Sequence, residues 1–272
     1  VLKRRIPPLK AMNNRLFSLV DSLEKNRSLS LAEYTELIEG QTPSLFEYAA
    51  KKADSIRKSI YGNAVYVRGL IEIGNVCKND CFYCGIRKSN GHCDRYILKE
   101  KDILHCAKQG YELGFRTFVL QGGEGVFSPD VICRTVKKLK ELFPDCAVTL
   151  SLGEYEREVF EAFFSAGADR YLLRHETADK EHYEKLHPKS MSFERRMKCL
   201  YDLKDIGFQV GCGFMVGSPF QTAECLAKDL KFIEEFSPDM CGIGPFIPAE
   251  NTPFEDYPAG SAEQTVFLLS LI

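Results

Sequence analysis

Three cysteines carry the clearest chemistry in this 272-residue chain: Cys77-Lys-Asn-Asp-Cys81-Phe-Tyr-Cys84. Thiolates are the usual ligands of iron–sulfur clusters, and three of them spaced by three and two residues can wrap one corner of a cubane. Three ligands rather than four leave one iron without a protein ligand. An open iron can bind and reduce a substrate, whereas a four-cysteine site only passes electrons. Two other readings fit the same residues. A loop zinc site needs further ligands, for which His92 and Cys93 are the nearest, and three unrelated free thiols are the other. The remaining cysteines show no such clustering. Cys106, Cys133, Cys199 and Cys225 fall in expected helices, and Cys146, Cys212 and Cys241 in or beside expected strands, where cysteine acts as a small apolar residue. The total of 11 is odd, the chain is long enough to fold without staples, and no secretory leader is visible. Reduced thiols in a cytoplasm follow.

The elements that must position the triad alternate regularly. Residues 12–60 read as helices: Ser30 and Glu33 form a capping box, Gly40 stops that helix, and Thr42-Pro43 opens the next, which Gly62-Asn63 breaks. Strands are then expected at 65–73, 115–120, 147–152, 169–174, 208–216 and 240–247. Helices fall between them at 99–113, 129–142, 155–166, 180–187, 193–206 and 222–236, with one more from Ser261. Six βα units in succession argue a parallel sheet under outer helices. The candidate residues sit just past the strands, which favours an α/β, TIM-like (βα) barrel over a doubly wound sheet. Eight units close a barrel and six are present, so the chain reads as a helical extension (1–62) and a C-terminally truncated core (63–272). Two more βα units are expected in the complete product. Formal charge is −2, with 38 acidic against 36 basic residues, which gives no electrostatic reason to expect nucleic acid or an anionic membrane. No apolar run is long enough to span a bilayer.

With Tyr83 before its last cysteine, the triad resembles the radical SAM superfamily, and Gln121-Gly122-Gly123-Glu124 after the second strand resembles that superfamily's Gly-Gly-Glu element. The likeness narrows to the FeFe-hydrogenase maturase HydE family in Tyr66–Glu72, Tyr83–Asn90, Leu150–Glu154, Tyr171–Ala178 and Gly242–Pro248. Biotin synthase and methylornithine synthase share the framework. Two departures stand out: many HydE sequences carry Ser where this chain has Gly122, and Asp where it has Gly125. The family continues past residue 272, where some members hold a second cluster.

The resemblance implies a 4Fe-4S cluster on Cys77, Cys81 and Cys84, with SAM on the fourth iron and reductive cleavage to a 5′-deoxyadenosyl radical. It implies an organometallic iron–cysteine substrate bearing CO and cyanide, and assembly of the hydrogenase di-iron site. Partners would be a reductant protein such as ferredoxin or flavodoxin, and the other maturases. Methylornithine-synthase-like or biotin-synthase-like catalysis, or a non-catalytic Fe–S protein, are the alternatives. For SAM the candidates are Tyr83, Gly122, Gly123, Glu124, Glu154 and Arg174. Gly122-Gly123 allow close backbone approach to the methionyl amine, or make an ordinary tight turn. Glu154 can accept ribose hydroxyls, or sit solvated at a helix start. Arg174 can fork onto the SAM carboxylate, or pair with Glu176. Tyr83 meets the adenine, or packs the cluster loop. Gln121, Ser151, Thr177 and Met215 are expected to line a substrate cavity. His175 is either a cavity residue or a satisfied core histidine, and His182 and His187 are expected at the surface. Gly211-x-Gly213-x-x-x-Gly217 lacks the spacing of a dinucleotide loop.

Overall fold

The computed structural model describes residues 9–272. Three helices lead: α1 (Leu9–Asn26), α2 (Leu31–Glu39) and α3 (Pro43–Tyr61). The expected caps form. Ser30 Oγ accepts from the Glu33 N–H at 3.3 Å while the Glu33 carboxylate accepts from the Ser30 N–H at 2.8 Å, and Thr42 caps α3 ahead of Pro43. Leu16, Leu19, Leu37 and Leu45 bury their side chains in the same apolar core as the sheet. Residues 1–8, at the start of the expected helical extension, lie outside the described residues.

The βα series follows: β1 (Gly69–Gly74), α4 (Glu100–Glu112), β2 (Thr117–Gly122), α5 (Pro129–Leu142), β3 (Ala147–Ser151), α6 (Arg157–Ser165) and β4 (Arg170–Leu172). Then come α7 (Lys180–Leu186), α8 (Phe193–Ile206), β5 (Gln209–Cys212), β6 (Met215–Val216), α9 (Ala223–Phe236), β7 (Met240–Cys241), β8 (Gly244–Pro245) and α10 (Ala262–Leu269). Six strands pair in parallel in the order β1-β2-β3-β4-β5-β7. The order never reverses, so there is no switch point of the doubly wound kind; the sheet is an arc of an α/β barrel. Side chains alternate across it. Phe118, Leu120, Val148, Leu150 and Tyr171 point out under the helices and are buried, each worth roughly 1.5–3 kcal/mol of transfer free energy. On the inner face Glu72, Gln121 and Ser151 stand in register near the C-terminal ends.

Several strands differ from the sequence expectation, and the fourth keeps only Arg170–Leu172 of the expected 169–174. The first begins at Gly69, not residue 65: Val65, Tyr66 and Val67 are 81%, 75% and 67% exposed, so their β-forming side chains find no partner strand. The fifth and sixth are each broken in two, β5 with β6 and β7 with β8. The break falls at Gly213, where an added Cβ would lie 1.9 Å from the Gly242 carbonyl oxygen; only glycine lets these two backbones approach so closely. The β6–β8 pair then continues as its own two-stranded sheet.

Candidate active site

The loop after β1 carries the three thiols to a cavity of about 340 Å³ at the C-terminal ends of the strands. Its lining includes Cys77, Cys81, Cys84, Tyr83, Glu72, Gln121, Gly122, Gly123, Glu124, Ser151, Arg174, Glu176 and Arg196. A wider apolar groove of about 820 Å³ runs between α1, α3, α9 and α10, away from the thiols.

The cluster loop is tied down from both sides. The Lys78 N–H donates to the Glu124 carbonyl at 2.9 Å, and the Glu124 N–H donates to Cys77 Sγ at 3.3 Å. An added Cβ on Gly123 would meet the Val76 oxygen at 1.9 Å, so glycine is required for β2 to run this close to the loop. Downstream, the Arg95 guanidinium donates to the carbonyls of Asn75, Ile86, Arg87 and Asn90 at 2.6–3.1 Å. Asp80, between the first two cysteines, takes Arg87 Nε at 2.8 Å and the Ser89 N–H at 3.0 Å. Among the described residues no three His, Cys, Asp or Glu side chains close on one point as a single metal ion requires. A cubane asks for something else, since each thiolate binds a different iron and the sulfurs spread around the cluster. Burial, with Cys84 beside it, pushes the Cys81 thiol up to about 12, and burial raises Cys84 as well. Loading the thiols with metal therefore releases protons.

The polar wall opposite is built from β2, β3, β4 and α8. Arg174 lies two residues past the end of β4, with its Nη2 3.4 Å from Glu176 Oε2, but Arg174 Nε and Nη2 and Glu176 Oε2 make no hydrogen bond. Two buried, unbonded nitrogens of a part-exposed guanidinium and one such oxygen of a buried carboxylate, all on one cavity, complement the carboxylate and ammonium of an amino acid. That is the polar end SAM presents, so the residues fit the group. Glu154 does not line the cavity. It sits behind the wall, buried, with Arg196 Nε on its Oε1 at 2.5 Å and Arg195 Nε on its Oε2 at 3.2 Å. Arg196 also reaches Glu124 at 3.8 Å and donates to the Arg174 carbonyl at 2.8 Å. Sequence reasoning missed Arg196; its only signal is an Arg195-Arg196 pair on α8, which looks like a solvated face.

Of the four expected substrate-cavity residues, Gln121 and Ser151 line the cavity and Thr177 and Met215 do not. Thr177 is fully buried and shares a hydrogen bond with His182 Nδ1 at 3.0 Å. Met215 packs with Leu186, Phe246 and Phe254 in a small core against Phe82 and Tyr83. The surface assignment of His182 and His187 is corrected: they are 1% and 3% exposed. His182 Nε2 lies 3.0 Å from the Pro219 carbonyl, and His187 Nε2 lies 3.1 Å from the Tyr83 hydroxyl. The residues need no shared face because separate loops cover each side of α7. Burial lowers both imidazoles, His187 to about 3. Tyr83 thus ties the cluster loop to His187 at the end of α7. His175 is a core residue, and Cys106, expected to pack, is exposed.

A barrel arc with three loop thiols and an amino-acid-shaped polar wall at its C-terminal face defines a class. The chain belongs to the radical SAM superfamily, which it matches over residues 71–233, and its cofactors are accordingly a 4Fe-4S cluster and SAM. Within that superfamily it is 45% identical over 222 residues to the [FeFe] hydrogenase maturase subunit HydE of Thermotoga maritima, covering 81% of this chain and 63% of that one. It is 27% identical over 228 residues to the 3-methylornithine synthase of Methanosarcina acetivorans, covering 83% and 63%. The crystal structure of methylornithine synthase (PylB) superposes with a TM-score of 0.84 at 25% identity, over 93% of this chain and 75% of that one. The chain thus spans less than two thirds of either curated relative's length. Among the described residues no helix is long and apolar enough to cross a membrane.

Proposed function

We propose that the protein is a HydE-like radical SAM maturase, acting in assembly of the di-iron site of an FeFe hydrogenase. The observation that carries the radical SAM part is the shared cavity of Cys77, Cys81, Cys84 and the unsatisfied polar atoms of Arg174 and Glu176. The 45% identity to HydE, against 27% to methylornithine synthase, favours the maturase. When bound, the cluster and SAM supply one-electron cleavage of a C–S bond and a 5′-deoxyadenosyl radical.

The chain's own residues hold and orient. Cys77, Cys81 and Cys84 ligate three irons, with the Glu124 N–H steadying the first sulfur. Arg174 takes the SAM carboxylate and Glu176 its ammonium, beside the open backbone of Gly122 and Gly123. Tyr83, held by His187, packs on the adenine side. Glu154 stays behind the wall as the partner of Arg196, which lines the cavity. Gln121 and Ser151, with Glu72 in register beside them, face the remaining space, where an organometallic iron–cysteine substrate is accommodated. A ferredoxin- or flavodoxin-type protein supplies the electron, the other maturases are its functional partners, and the setting is cytoplasmic.

The test is anaerobic reconstitution with iron and sulfide, then dithionite and SAM, assaying 5′-deoxyadenosine for wild type and Cys81→Ala. Cluster-dependent product that the substitution abolishes is the expected result. Zinc uptake in place of a cluster defeats the reading. Restoration of hydrogenase in a strain lacking its own HydE separates the maturase from a methylornithine-synthase-like enzyme.

A further inference from the structure

Glu176 holds φ 65°, a left-handed conformation that residues other than Gly, Asn and Asp rarely adopt. Something must over-determine it. Its own N–H donates to the Gly213 carbonyl at 3.0 Å, which fixes one side of the turn. The other side is held from behind the sheet. Asp229, fully buried on α9, accepts the Ala178 N–H on Oδ1 at 2.5 Å. The same oxygen lies 3.3 Å from His175 Nε2. His175 is fully buried too, and its Nδ1 accepts the Gly213 N–H at 3.2 Å. Because Nδ1 is an acceptor, the neutral ring carries its proton on Nε2, which packs against Asp229 without a hydrogen bond to it. Neither residue lines the cavity.

We infer that Asp229 and His175 are positioning residues: they clamp residues 175–178 between α9 and β5 so that Glu176 stays left-handed with its carboxylate turned into the cavity. The clamp explains why an acidic residue is buried on a helix that has no part in lining the site. It also explains why His175 sits between two cavity residues, Arg174 and Glu176, yet faces away. The inference rests on the reading of Glu176 as a contact of the SAM amino group, and the test separates the two.

The experiment measures the SAM dissociation constant by calorimetry on cluster-loaded protein without reductant, and the melting temperature of the same samples. Asp229→Ala is expected to weaken SAM about tenfold, the equivalent of about 1.4 kcal/mol. Asp229→Asn, which keeps an acceptor oxygen for Ala178, restores binding to within about threefold of wild type. In a Glu176→Gly background, Asp229→Ala changes SAM affinity by less than about twofold, because the group it positions is gone. An equal loss in both backgrounds overturns the inference, since Asp229 would then serve the fold alone. If Asp229→Ala does not fold, His175→Phe, which keeps ring volume but cannot accept from Gly213, takes its place with the same expectations. If Glu176→Gly binds SAM like wild type, the ligand reading of Glu176 falls. The clamp is then judged on melting temperatures alone: a smaller loss from Asp229→Ala when residue 176 is glycine supports it, and an additive loss overturns it.

Discussion

Arg196 offers the sharpest check on how the site is held. Its side chain is 9% exposed and those of Glu154 and Glu124 are 7% and 9%, so the group works where water screens little. Replacing it with Met keeps length and apolar stem but leaves Glu154 Oε1 without its 2.5 Å partner and the Arg174 carbonyl without its donor. Removing one member of a buried ion pair costs about 3–5 kcal/mol. Arg195 still reaches the other oxygen of Glu154 and Lys78 still reaches Glu124, so the lower end, about 3 kcal/mol, applies. At roughly 2–4 °C per kcal/mol for a chain of this size, Arg196→Met melts about 6–12 °C below wild type. The assay is thermal unfolding of metal-free protein followed by circular dichroism near neutral pH. Glu154→Gln added to Arg196→Met should recover part of the loss, because the uncompensated charge is then gone. Arg196→Lys should fall between, since an ammonium cannot fork onto a carboxylate and a carbonyl together. A melting point for Arg196→Met within about 2 °C of wild type would refute the claim that this guanidinium anchors the wall.

The corrected histidines predict a pH dependence. His182 and His187 stay neutral when folded, below the ordinary value of about 6.5, while the unfolded chain takes up protons there. Their stability is therefore fully present above about pH 6.5 and lost as pH falls, by about 2 kcal/mol for His187 at about pH 5; the His182→Asn/His187→Gln double variant should show a shallower loss in melting temperature, and an unchanged slope would count against burial. Gly123→Ala should leave the helical spectrum intact but lose most iron after reconstitution, because its methyl meets the Val76 oxygen; normal iron content would show the loop gives way. Thr177→Val should leave SAM affinity unchanged and cost about 1 kcal/mol of stability through its lost bond to His182, read by calorimetry and urea unfolding; a large loss of SAM binding would return Thr177 to the cavity.

What could be read from sequence was what lies close together along it. The three cysteines announce a cluster because the loop that gathers them is eight residues long, and the capping box at Ser30 and Glu33 is decided within one turn. The barrel order follows from alternation alone, since each parallel strand must be reached by a helical crossover. The wall behind the cavity has no such local signature. Arg196 meets Glu154 across 42 positions, and nothing on α8 distinguishes it from the exposed Arg195 beside it. Thr177 and Met215 were placed by their nearness to strand ends, a rule that says which end of the barrel but not which way a side chain turns once the strand has stopped. There the deciding partners are loops from other units: the Pro219 carbonyl that holds His182, and Leu186 and Phe254 that enclose Met215. The division is a consequence of the architecture. A barrel supplies its catalytic groups one strand end at a time, so each is visible by itself, whereas the groups that hold them are shared between units and belong to no segment. Substitutions on the outer helices, at Arg196 or Asp229, should therefore disturb the site more than many substitutions on its rim.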